Sequence, residues 1–91
     1  MAVTVKVPTQ LRTLTDGAAE VSIEGATVRE VVQRLESQHP GMGARLLDDS
    51  GALRRFLNVY VDDEDVRFLD GIETPVPEGS KVSIIPAVAG G

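Results

Sequence analysis

The chain has 91 residues, 42% hydrophobic and 25% charged, with 9 basic against 14 acidic side chains and a formal net charge of −5. A single domain of this size buries roughly 60–65% of its unfolded surface, enough for one core and too little for a deep catalytic cleft as well. The acidic balance argues against nucleic acid, whose binding is driven by Lys and Arg neutralising phosphates, and gives no support to a membrane-surface role. The chain has no cysteine, which excludes disulfides and thiol chemistry. Met1 to Lys6 lack the basic start and long apolar run of a signal peptide, and no stretch approaches the ~20 apolar residues that span a bilayer, so a cytoplasmic protein is expected.

Val3, Val5 and Val7 alternate with Thr4 and Lys6, the period of a half-buried strand. Thr15-Asp16-Gly17 carries turn chemistry, and Ala19, Val21 and Ile23 alternate with Glu20, Ser22 and Glu24 in a second strand. These predict an N-terminal hairpin with Leu11 and Leu14 tucked beneath its connection. After Gly25 the period changes: Val28, Val31, Val32 and Leu35 fall on one face of a helix. Thr27 and Glu30 have the capping-box spacing at its start, and Pro40-Gly41 end it near Gln38 or His39. Arg29, Gln33, Arg34 and Glu36 lie off the apolar stripe.

Met42, Leu46 and Leu47 can seat a short helical turn before the loop Asp48-Asp49-Ser50-Gly51. Leu57, Val59 and Val61 then alternate with Phe56, Asn58 and Tyr60 in a third strand, and Asp62-Asp63 turns the chain into a fourth, around Glu64 to Phe68. Gly71 to Gly79 is a connection. Lys81 to Ile85 form the last strand, with Val82 and Ile84 on one side and Ser83 and Ile85 on the other. The order β-β-α-β-β-β predicts an α+β domain in which one mixed sheet of about five strands covers one main helix.

Pro86 cannot donate to a sheet ladder, so the last strand stops there. The chain then closes with Ala87-Val88-Ala89-Gly90-Gly91, small and uncharged. A frayed terminus is the plain reading, and a closing Gly-Gly arises by chance in roughly one chain in 200. The chemical reading is more specific. Five extended residues reach at most about 18 Å, far enough to enter another protein's active site. Two glycines, having no Cβ, fit a narrow channel and leave the terminal carbonyl carbon unobstructed. A free carboxylate is a poor acyl donor and must be activated by an external enzyme.

The final strand and tail, Lys81 to Gly91, with Pro77-Glu78-Gly79 before them, resemble the ThiS/MoaD family of ubiquitin-like sulfur carriers, and the likeness covers that family from end to end. Asn58-Val59-Tyr60-Val61, Asp63 to Phe68 and the ending Ala87 to Gly91 resemble its actinobacterial branch that serves cysteine biosynthesis. The resemblance implies a β-grasp domain over residues 1–86, with the last strand central and parallel to the first, and a flexible diglycine tail over 87–91. It implies a carrier without its own active site and with no bound cofactor. An E1-like (MoeB/ThiF-type) enzyme would use ATP to adenylate the Gly91 carboxylate, and a sulfur donor would displace AMP to leave a thiocarboxylate. A PLP-dependent cysteine synthase, or another sulfur-accepting enzyme, would draw on that sulfur, and a zinc peptidase would release cysteine. Related carriers feed thiamin, molybdopterin, tRNA thiolation or secondary metabolites such as thiosugars. Two further readings stay open: a ubiquitin-like modifier joined to lysines through Gly91, and a β-grasp interaction domain with an idle tail.

If Val82, Ile84, Leu57, Val59 and Val61 face the helix, Tyr60 and Ile85 share the open face of the sheet and form a partner docking surface beside Ala87, Val88, Ala89 and Gly90. A monomer is expected. Asp62-Asp63-Glu64-Asp65 lacks the spaced ligands of a calcium loop and reads as a solvated turn. His39, alone and without cysteines, makes no zinc site, so no metal is expected. Arg54-Arg55 read as a solvated edge, Ser37, Ser50 and Ser80 lack a nucleophile's setting, and the glycines form no phosphate cradle.

Overall fold

Alternating Val3 and Val5 bury one side of the first strand, and everything else is assembled on that side. A computed structural model describes residues 2–54 and 57–86. The tail, 87–91, and Phe56 lie outside the described residues. The elements are β1 (Ala2–Lys6), a 3₁₀ helix (Thr9–Thr15), β2 (Glu20–Glu24), α1 (Val28–Gln38), α2 (Met42–Leu46), β3 (Leu57–Val61), β4 (Glu64–Asp65), two 3₁₀ turns (Val66–Phe68 and Gly71–Glu73) and β5 (Lys81–Pro86).

The strands form one five-stranded sheet in the order β2-β1-β5-β3-β4. β1 and β2 pair antiparallel, as the hairpin reading required. β5 runs parallel to β1 and antiparallel to β3, in the centre of the sheet. This is the β-grasp arrangement expected from the resemblance. Val82 and Ile84 of β5, Val3 and Val5 of β1, Ile23 of β2 and Leu57, Val59 and Val61 of β3 all face one side and join a single buried cluster. Val28, Val31, Val32 and Leu35 of α1 close that cluster from above.

The start of α1 is fixed twice. Thr27 Oγ1 accepts from the Glu30 N–H at 3.3 Å, and Glu30 Oε1 accepts from the Ala26 N–H at 2.9 Å, one residue before the cap. Two backbone bonds, Val28 N–H to Thr74 O at 3.0 Å and Val76 N–H to Ala26 O at 2.8 Å, tie this end of the helix to the segment leading into β5. A Cβ on Gly25 would stand 2.9 Å from Val31 Cγ2 and 3.0 Å from Val31 N, so any larger residue would force the first turn of the helix to shift.

Glu36 lies off the apolar stripe, yet it is not simply solvated. Its carboxylate accepts from the N–H groups of Gly41 at 3.2 Å and Gly43 at 2.7 Å, the exposed donors at the start of α2. That holds Met42 and Leu46 in the core. Leu47, half-buried, bridges to Leu53 across the following turn. Asp48 Oδ1 organises that turn by accepting from Ser50 Oγ–H at 2.6 Å, Ser50 N–H at 2.9 Å and Ala52 N–H at 3.1 Å.

One expectation is corrected. The fourth strand does not run from Glu64 to Phe68: it spans only Glu64–Asp65. Asp65 Oδ1 accepts from the Arg67 N–H at 2.9 Å, an N-cap that curls the chain into a 3₁₀ turn and drives Val66 into the core. The first connection is likewise more ordered than a loop: Thr9–Thr15 form a 3₁₀ helix that buries Leu11 and packs Leu14 against the core.

Two measurements test this packing. Leu35 is 0% exposed, so Leu35→Ala should lower unfolding free energy by about 2–5 kcal/mol in urea titration. The hydrogen bonds from Ser50 Oγ, Ala52 N–H and Ser50 N–H hold the Asp48 carboxyl below its ordinary pKa. Its contribution to stability is therefore present above the ordinary carboxylate pKa and lost as pH falls through the depressed folded value. In an NMR titration the Asp48 carboxyl and the Ser50 amide should move together, below the usual aspartate range.

Candidate functional site

The last described residue of β5 is Pro86, opposite Leu57 on β3. It sits where its missing N–H does the ladder least harm, at the final rung. Two shallow hollows flank it. One, of about 390 Å³, lies between β5 and the connection after β1, lined by Lys6, Pro8, Gln10, Arg12, Ile85 and Pro86 among others. The second, of about 170 Å³, is formed by Gln10, Leu11, Arg45, Arg54, Leu57 and Pro86.

The surroundings of Pro86 are basic in a chain that is acidic overall. Lys6, Arg12, Arg45 and Arg54 line these hollows, and among the described residues no carboxylate does. Three arginines at this end are oriented by main-chain carbonyls. Arg12 Nε donates to Val7 O at 3.1 Å, Arg54 Nε to Ala44 O at 2.9 Å, and Arg67 Nη2 to Leu57 O at 3.2 Å. A carbonyl orients a guanidinium without neutralising it, although Arg54 also lies close enough to the Asp48 carboxylate to help hold its pKa down. Arg67 also has a carboxylate close by, Asp65 Oδ1 at 4.0 Å. Arg54 read as a solvated edge from sequence; it is a strut between the 48–54 turn and α2. The convergence of Lys6, Arg12, Arg45 and Arg67 with it was not visible, because they come from four separate segments brought together only by the sheet.

The open face of the sheet carries the second group of candidates. Asn58 stands opposite Ile85 and Tyr60 opposite Ser83. Tyr60 and Ile85 are thus diagonal neighbours on one face, within reach of an aromatic side chain. Ile85 is 48% exposed and Tyr60 is half-buried. Lys6 of β1 lies on the same face between Ser83 of β5 and Glu20 of β2, and joins the open face to the hollow at Pro86.

The other constellations have structural partners. Asp62, at φ 57°, accepts from the Lys81 N–H at 3.1 Å and fixes the entry to β5. His39 ends α1 with its N–H on Leu35 O at 2.7 Å. Ser80, buried, accepts through its carbonyl from the Thr4 N–H at 3.0 Å. Among the described residues no group of three or more His, Cys, Asp or Glu is set to hold a metal ion. No helix among them is long and apolar enough to cross a membrane. Gly91, Gly90, Ala89, Val88 and Ala87 lie outside the described residues, as does Arg55.

Residues 5–91 match the ThiS family. The chain is 50% identical over 93 residues to the sulfur carrier protein CysO of Mycobacterium tuberculosis, covering 100% of both. It superimposes on a chain from the crystal structure of the Amycolatopsis orientalis BexX/CysO complex with a TM-score of 0.93 and 53% identity, over 99% of this chain and 100% of that one. It is also 38% identical over 68 residues to small archaeal modifier protein 3 of Haloferax volcanii, covering 75% of this chain and 73% of that protein. The family match runs from within β1 to Gly91, and the agreement with a sulfur carrier holds over the full length: the chain belongs to the ThiS family and is a homologue of the sulfur carrier CysO.

Proposed function

We propose that the working group is the carboxylate of Gly91, carried on residues 87–91 as a handle that other enzymes grip, and that the domain itself supplies no catalytic residue. The reading is supported chiefly by the place of Pro86, the last described residue before that segment: it closes the central strand at an end of the sheet lined by Lys6, Arg12, Arg45 and Arg54 and continuous with the apolar pair Tyr60 and Ile85.

An E1-like enzyme transfers AMP from ATP to the Gly91 carboxylate and releases pyrophosphate. A sulfur nucleophile attacks the acyl carbon, the C–O bond to AMP breaks, and a thiocarboxylate remains. The sulfur is now a covalently held nucleophile. In the cysteine-forming branch of the family that the sequence resembles, a PLP-dependent synthase would take up this sulfur to give a carrier–cysteine adduct joined by an amide, which a zinc peptidase would hydrolyse to free cysteine and regenerate Gly91. Tyr60 and Ile85, with Lys6 on the same face and Arg45 lining the hollow at Pro86, dock the carrier on the activating enzyme. The likeness to small archaeal modifier protein 3 supports a second reading, in which the activated Gly91 is passed to a lysine amine and forms an isopeptide.

Intact-mass spectrometry after incubation with activating enzyme, ATP and sulfide separates the two. Replacement of one oxygen by sulfur is expected, and lysine-linked adducts in its place would favour the modifier. Deletion of Gly90 and Gly91 should abolish the sulfur gain while moving the melting temperature by less than about 4 °C, under 1 kcal/mol. A larger drop would show that the terminus is part of the fold.

Docking is tested by activation kinetics. Ile85→Asp and the pair Lys6→Glu/Arg45→Glu should each raise KM about 10-fold at low ionic strength with kcat unchanged. Added salt should erase the effect of the charge pair and leave that of Ile85→Asp.

A further inference from the structure

Of the large hydrophobic side chains that stand exposed among the described residues, two are adjacent and far from Pro86: Phe68, 87% exposed, and Leu69, 43%. Their exposure results from the Asp65 cap. The turn that sends Val66 inward leaves Phe68 outside, and the chain runs on through Asp70 before Ile72 packs against the core and Thr74 and Val76 enter it. Phe68 and Leu69 border a groove of about 500 Å³ whose other wall is Pro75 and Pro77.

The groove's rim is acidic. Asp62, Glu64 and Asp70 line it, and among the described residues no Lys or Arg does. Three cations stand near it without lining it: Arg67 donates to Leu57 O, Arg29 is held by Glu73 through Nε at 3.0 Å, and Lys81, whose backbone N–H the Asp62 carboxylate accepts, lies beside Thr4. An aromatic face among carboxylates suits a cationic occupant, which gains from the carboxylates and from the ring. The groove reaches Val61, opposite Val82, whereas Pro86 stands opposite Leu57. Those rungs are four residues apart, about 13 Å along the strand, so a short segment seated here does not overlap the end of β5.

We propose that the groove bordered by Phe68 and Leu69 is a docking site for a basic, apolar-anchored segment of a partner protein. It is separate from the surface around Pro86 and independent of the chemistry at Gly91. A carrier held there stays attached while the other end of the molecule remains open to an enzyme.

The full-length chain, labelled with ¹⁵N, is titrated with an amidated ten-residue peptide alternating Lys and Leu. Controls carry Glu for Lys, or Ser for Leu. Saturable shifts confined to the amides of residues 61–64, 68–70 and 74 are expected with the first peptide only. Phe68→Ser, a surface change whose retained fold is read from the same spectrum, should weaken binding at least about 10-fold; Glu64→Gln/Asp70→Asn should do so at low salt and not at high salt. Equal binding of the acidic peptide, shifts spread over the sheet, no saturation by millimolar peptide, or unchanged affinity in Phe68→Ser would overturn the proposal. So would concentration-dependent shifts of these amides without peptide, which assign the groove to a second copy, or shifts caused by phosphatidylcholine vesicles, which assign it to a membrane.

Discussion

The double pairing of β5 is the interaction on which the rest depends. One short strand supplies Val82 and Ile84 to the middle of the core and joins two hairpin-like halves that otherwise share no ladder: β1 with β2, and β3 with β4. A parallel strand next to β1 cannot be reached by a tight turn, so the intervening chain must cross the sheet, and α1 is the piece that covers it. The segment that places the terminus is thus also the keystone of the sheet. Its position cannot drift without loss of the core.

Charge is distributed along the same axis. Lys6, Arg12, Arg45 and Arg54 surround the Pro86 end, while Asp62, Asp63, Glu64, Asp70 and Glu78 come from the turns near the opposite end of β5. A net charge of −5 describes neither end. The summed composition was a sound guide against a nucleic-acid role and a poor one to the local field, because basic residues from separate segments need the folded sheet to become neighbours. The carbonyl partners of Arg12, Arg54 and Arg67 matter for the same reason: they restrict the guanidinium groups before any partner arrives, so less rotamer freedom remains to be lost on binding.

What could be read from the sequence was whatever obeys a period. The 3.6-residue spacing of Val28, Val31, Val32 and Leu35 marked α1 to within its caps, and the alternation in β1, β3 and β5 assigned their faces, including the outward Tyr60 and Ile85. What could not be read depends on single side chains bonding to main chain across a turn. Asp65 ends β4 three residues early by capping its successor. Glu36, seven residues before Gly43, anchors a helix of five residues that its own sequence could not support. Phe68 falls within the strand pattern for the same reason, and it is the Asp65 cap that leaves it exposed. The centrality of β5 came from family resemblance and not from any spacing.

At one end of β5 the Asp62 carboxylate grips the Lys81 N–H; at the other, proline occupies the terminal rung opposite Leu57. A strand latched at its entry and blocked at its exit has a single register, since a slip of one residue would turn Val82 and Ile84 to water. The distance from that blocked rung to the last carbon of the chain is then bounded by five peptide units, about 18 Å at full stretch. On the proposed reading, an enzyme that works on Gly91 has to bring its reacting atoms within about 18 Å of Pro86.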